Sequence, residues 1–169
     1  RLKGHARALF WKWVATWGAM LRKPSDLGFA DDGYILPPLN VHEHSIDFEM
    51  PTNGQLFASE AQTLSDRRLA RKLSAELRVK ACADVVNAEP NEPWLIWCDL
   101  NAEGDALTKA IDGAIQVAGA DDIDAKEKRL IDFAEGRARV MVSKPSIAGH
   151  GLNFQHAARM AFVGVTDSY

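Results

Sequence analysis

Along the first 22 residues the apolar positions recur at spacings of three and four: Ala6, Leu9, Phe10, Trp13, Trp17 and Met20 or Leu21. That period predicts a helix over residues 4–22. The run "RKPSDLG" ends it, because proline disfavours the helical conformation of the residue before it. "DDGYILPPLN" reads as a loop, "VHEHSIDF" (41–48) alternates as a strand does, and "PTNG" is a turn. Residues 59–88 predict a long helical region, with Leu69, Leu73, Leu77 and Ala81 on an apolar face and "RRLARK" supplying a basic one.

The texture changes near residue 90. "NEP" breaks the helix, and "WLIWC" is a continuous apolar run of the kind found in strands covered on both faces. A helix "NAEGDALTKAI", a short strand "AIQVAG" and a helix "DAKEKRLIDFAEG" follow. Then come a strand "RVMVS", a loop "SIAGHGLNF" (146–154) and a last strand "RMAFVGV". This alternation predicts an α/β fold, a parallel sheet with flanking helices, preceded by a mainly helical N-terminal extension. The expected division is 1–88 for the helical connecting region and 89–169 for the α/β part. Ligands of such sheets bind at the carboxyl ends of strands, and the loop 146–154 sits at one of them.

Composition narrows the class without naming it. With 169 residues, 47% hydrophobic and 25% charged, the chain suits one domain, or one domain plus an extension, with a sizeable core. No apolar stretch approaches the roughly 20 residues of a membrane span, so no membrane partner is expected. The opening "RLKGHAR" is not a signal peptide, and a start at Arg1 suggests a fragment. Cys82 and Cys98 lie in apolar contexts and form neither a metal pattern nor a disulfide framework, which makes a reducing cytoplasm the default. The net charge of −3 hides an asymmetry. Residues 1–80 carry 12 Lys and Arg against 9 Asp and Glu, whereas residues 81–169 carry 8 against 14. A domain-wide basic field is absent, so any contact with nucleic acid must use a local patch.

The chemistry-bearing candidates are few. Gly149 and Gly151 form a G-x-G that either makes a structural turn or lets a phosphate approach the backbone. Asn153, between Leu152 and Phe154, reads as a buried amide, which must be hydrogen-bonded and so fixes the loop or holds a ligand. His42 and His44 would share one strand face, yet no third ligand follows at a metal-site spacing. Arg67, Arg68, Arg71 and Lys72 form a basic run able to meet phosphates or simply to solvate a helix. Trp11, Trp13 and Trp17 have the spacing of a packed helix face rather than of a base-stacking platform. Cys98 reads as an inert small hydrophobe.

"VMVSKPSIAGHGLNF", followed by an apolar strand, resembles motif five of superfamily-two helicases, and specifically of the Swi/Snf-type translocases. "PWLIWCDLNAEGDAL" is similar to their motif four, and "AGADDIDAKEKRLIDFAEG" to the segment where a glycine precedes a helix ending in phenylalanine. The likeness covers roughly residues 90–169. Residues 4–48 are similar to the region between the lobes in phage-type members. The resemblance implies a RecA-like C-terminal lobe of a DNA-dependent ATPase. It implies that Ser143 and Lys144 face the nucleic-acid backbone, with Ser143 or Ser146 filling the motif's Ser/Thr position. It implies that Gly149, Gly151 and Asn153 shape the nucleotide-side loop. One residue more than usual separates the Ser/Thr from the G-x-G. The chain stops at "DSY", ahead of motif six and its arginine finger, and it contains no G-x-x-x-x-G-K-[ST] run. ATP, Mg²⁺ and duplex DNA are therefore expected only with a missing N-terminal motor lobe, and the chain alone is expected to be inactive. The rival expectation is a non-catalytic α/β interaction module, since such sheets host many functions.

Overall fold

The computed structural model describes residues 3–35, 37–48 and 63–164, so "PTNG" lies outside the described residues. The chain divides into two compact units, Arg1–His44 and Ser45–Tyr169.

In the first unit, helix α1 spans Gly4–Val14. It ends well before the expected residue 22. Thr16 turns its hydroxyl back to donate to the Trp13 carbonyl at 2.7 Å, and Gly18 follows. Both compete with continued helix. A 3-10 turn, Pro24–Leu27, follows. None of the described residues of this unit is buried. Trp11, Trp13 and Trp17 are 56%, 58% and 67% exposed, so of the two placements expected for this face, in a core or between lobes, the first is corrected. Trp13 and Trp17 meet edge-on at 5.3 Å between ring centres, while Trp11 meets Phe10 edge-on at 5.2 Å. The strand expected over 41–48 is also corrected: that segment is irregular. Alternation makes a face but supplies no neighbour to complete the ladder, and no described strand pairs with it.

The second unit opens with helices α2, Leu64–Leu73, and α3, Ala75–Asn87. Thr63 starts α2 with a capping box: its hydroxyl accepts from the Asp66 amide, and Asp66 accepts from the Thr63 amide. Ser74, with ψ near 0°, divides the long helical region expected over 59–88, of which residues 59–62 lie outside the described residues. The predicted apolar stripe does not become the core face. Leu69, Leu73 and Leu77 are 43%, 41% and 44% exposed, while Val79, Ala83 and Val86 are buried. The break at Ser74 separates Leu69 and Leu73 from α3, and the spacing 79, 83, 86 turns the smaller residues inward.

Beyond α3 the alternation is as expected: β1 Trp94–Trp97, α4 Asn101–Ala110, β2 Ala114–Val117, α5 Ile123–Ala134, β3 Val140–Ser143, α6 Pro145–Ala148 and β4 Arg159–Phe162. The four strands form one parallel sheet in the order β2-β3-β1-β4, with Trp97 level with Ser143 on one side and Phe162 on the other. This is the α/β, RecA-like layout of a parallel sheet with flanking helices. Alternate residues of β1 serve opposite faces. Trp94, Ile96 and Cys98 pack with Val79, Val86 and Leu107 under α3 and α4. Leu95 and Trp97 pack with Phe133 and Ala148 under α5 and α6. Coverage on both sides is why the strand reads as unbroken apolar sequence. Burying Phe133 alone contributes about 1.5–3 kcal/mol.

Connectivity locates the site. From β1 the chain crosses through α4 to β2 at one edge; from the neighbouring β3 it leaves through α6 to β4 at the other. The exits diverge, which opens a crevice at the carboxyl ends of β1 and β3.

Candidate functional site at the carboxyl edge of the sheet

Two segments meet this edge, residues 143–154 after β3 and residues 98–103 after β1. Ser143 is buried, and its hydroxyl donates to the Val117 carbonyl at 2.9 Å. Its own carbonyl accepts from the Cys98 amide at 3.0 Å. Ser143 therefore knits three strand ends together and does not face solvent. Lys144 is half-buried and its carbonyl accepts from the Ile147 and Ala148 amides, starting α6. Pro145, at the first helical position, brings the fixed φ that suits a helix start. Ser146 is exposed.

Gly149 ends this short helix with its amide on the Pro145 carbonyl at 2.9 Å. A Cβ there would lie 2.3 Å from that same carbonyl oxygen, so no larger residue closes the turn this way. Gly151 has φ of +74°, in the left-handed region that glycine enters freely. The pair is thus needed by the loop's path. Asn153 is exposed, which corrects the expectation of a buried amide. The anchor beside it is Phe154, half-buried and edge-on to Phe133 at 5.2 Å. Phe154 holds the loop down, so Leu152 and Asn153 stand outward.

Sequence reading missed the second segment. Glu103 is fully buried, and one of its oxygens accepts from the Asp99 and Leu100 amides, both at 3.0 Å. Its other oxygen pairs with Arg78 at 2.6 Å. Arg78 also donates to the Val163 carbonyl, just past β4, and to the Arg71 carbonyl in α2. Arg71 in turn meets Asp99 at 2.9 Å. The ends of β1 and β4, the start of α4 and both preceding helices are therefore tied by one charged network. A signal was present. A glutamate three residues into a helix reaches back to the amides before it, and "LNAEG" carries that pattern.

Cys98, on the same edge, has its thiol pushed up to about 11, first by burial and then by the charge of Glu103. Burial alone does the same to Cys82. Both are thiols rather than thiolates near neutrality, and so poor nucleophiles. His42 and His44 lie on the exposed irregular segment. Among the described residues no three His, Cys, Asp or Glu side chains converge to hold a metal ion. At this edge Asp99 is paired with Arg71, and Glu103 with Arg78 and two amides. Nor, among the described residues, is any helix long and apolar enough to cross a membrane. Compared with the models of known protein families and with curated proteins, the chain matches none.

Proposed function

We propose that this chain is the second RecA-like lobe of a Swi/Snf-type, DNA-dependent ATPase. The observation that carries the reading is the loop after β3. It leaves the carboxyl edge at the diverging exits, its path requires Gly149 and Gly151, and it holds Asn153 outward. In this reading two lobes clamp ATP between them and step along duplex DNA as they close. The phosphate cradle and the carboxylate for Mg²⁺ belong to the other lobe. Lys144 and Ser146 meet the nucleic-acid backbone, and of the two serines only Ser146 is exposed to do so. Ser143 holds the strand ends. Gly149, Gly151 and Asn153 carry the state of the nucleic acid to the nucleotide cleft.

The test is Asn153→Ala in the two-lobed parent enzyme. An exposed asparagine contributes little to stability, within about 0.5 kcal/mol, so the melting temperature should hold. Basal ATPase should survive while its stimulation by DNA collapses. A normal ratio of stimulated to basal rate would sink the proposal. A second reading, an α/β interaction module, is favoured by the exposed aromatic face of α1. It predicts that no polynucleotide changes the parent's ATPase.

A further inference from the structure

Beside the charged network lies a cleft of about 450 Å³, lined by Arg68, Arg71, Lys72, Asp99, Leu100 and Ala102. Helix α2 brings three cations to it at positions i, i+3 and i+4, a spacing that places them on one face. Arg71 is set in place by Asp99, which neutralises it. Arg68 and Lys72 are exposed, and among the described residues no carboxylate forms an ion pair with either, so of the cleft's three cations only Arg71 is neutralised from within its described lining. Like charges four apart on a helix repel by a few tenths of a kcal/mol, and an anion between them would relieve this.

We propose that this cleft seats a backbone phosphate of a polynucleotide, gripped by Arg68 and Lys72. The inference rests on the DNA-dependent reading above and adds to it a contact outside the loop 143–154. Leu100, Ala102 and the methylene stems of the two cations offer an apolar wall for the adjoining sugar. The cleft opens at the carboxyl end of β1, the strand next to β3, so one strand of nucleic acid crossing this edge reaches both cleft and loop. Because the second half of the chain is acidic, the contact is local and strongly salt-dependent.

The experiment compares this chain with its Arg68→Ala/Lys72→Ala variant, titrating a labelled duplex of about 20 base pairs over a range of low salt. Alanine is the best helix former and the substituted side chains are exposed, so circular dichroism should stay unchanged. At about 50 mM salt the variant should bind at least about tenfold more weakly, and the slope of log Kd against log salt should fall by about two. Equal affinity and slope in chain and variant overturn the cleft and leave the proposed function standing. Free ATP binding that is lost in the variant, with duplex binding kept, identifies a nucleotide site and overturns it too. So does displacement of the duplex by polyglutamate at equal charge, which marks a general anion patch. Failure of the chain to bind duplex even at the lowest salt also overturns it. The proposed function is judged separately, by the Asn153→Ala ratio in the parent.

Discussion

Glu103 concentrates the physics of the edge in one side chain. A fully buried carboxylate is tolerable only because two amides of the turn after β1 and Arg78 of α3 meet it, so two separate pieces of the fold converge on it. Glu103→Ala should therefore destabilise the protein by about 3–5 kcal/mol, since Arg78 is left charged and largely buried. Urea unfolding measures this directly, and a loss below about 1 kcal/mol would show that water or another group replaces the carboxylate. The same residue was hard to find in sequence. Read alone it is one more charged position on an amphipathic helix. Only the arrival of Val163 and Arg78 from 60 residues downstream and 25 upstream makes it a hub. Asn153 failed in the opposite sense. Flanked by Leu152 and Phe154 it looked buried, but the loop turns at Gly151 and anchors through Phe154 alone.

At the scale of elements, α5 shows how local charge sets acid sensitivity. Asp122 caps the helix on the Ala125 amide at 2.8 Å. Asp121 accepts from the Ala118 amide and from Arg129, and the first of these chiefly holds its carboxyl below the usual value of 3.8. Asp132 is held low by Lys128 and then by Arg137, at 2.7 Å each. A carboxyl whose folded pKa is depressed stabilises the fold above its unfolded pKa, and that stability is lost as pH falls through the folded value. Stability should thus be flat above about pH 5 and decline below about pH 4. Both groups are half-buried but lie at the surface, so the effect is small and screened by salt. Asp132→Asn should flatten part of the decline in a series of urea midpoints against pH. An unchanged curve would place the acid sensitivity elsewhere. These pairs were legible in principle, because they lie within eight residues of each other. The exposed Leu69, Leu73 and Leu77 were not, because periodicity reports a face without saying which of two faces meets the sheet.

For the whole molecule, the division of labour implied by the proposed function sets a limit on activity. Phosphoryl transfer requires a phosphate cradle, a carboxylate-held metal ion and charge stabilisation of the transition state. The 169 residues contain no phosphate-loop run, and the described carboxylates form no metal cluster. The isolated chain should release no phosphate from ATP above background, with or without DNA, in a colorimetric assay. A DNA-stimulated rate from the purified chain would overturn the two-lobe reading.

The order of strands and helices after residue 90 was written in the sequence, because a strand covered on both faces must be continuously apolar and a crossover helix must be amphipathic. The sequence marked Gly149 and Gly151 as a turn or a phosphate approach, and the structure shows why each is glycine: a Cβ at 149 would meet the Pro145 carbonyl, and 151 has a positive φ. What the tertiary structure alone decided is what the sheet brings together. The order β2-β3-β1-β4 sets the exits of β1 and β3 side by side, places Arg78 on Glu103, and stands α2's cations over the end of β1. Periodicity is a property of neighbours along the chain. Contacts between residues tens of positions apart depend on strand order, and no local pattern encodes that.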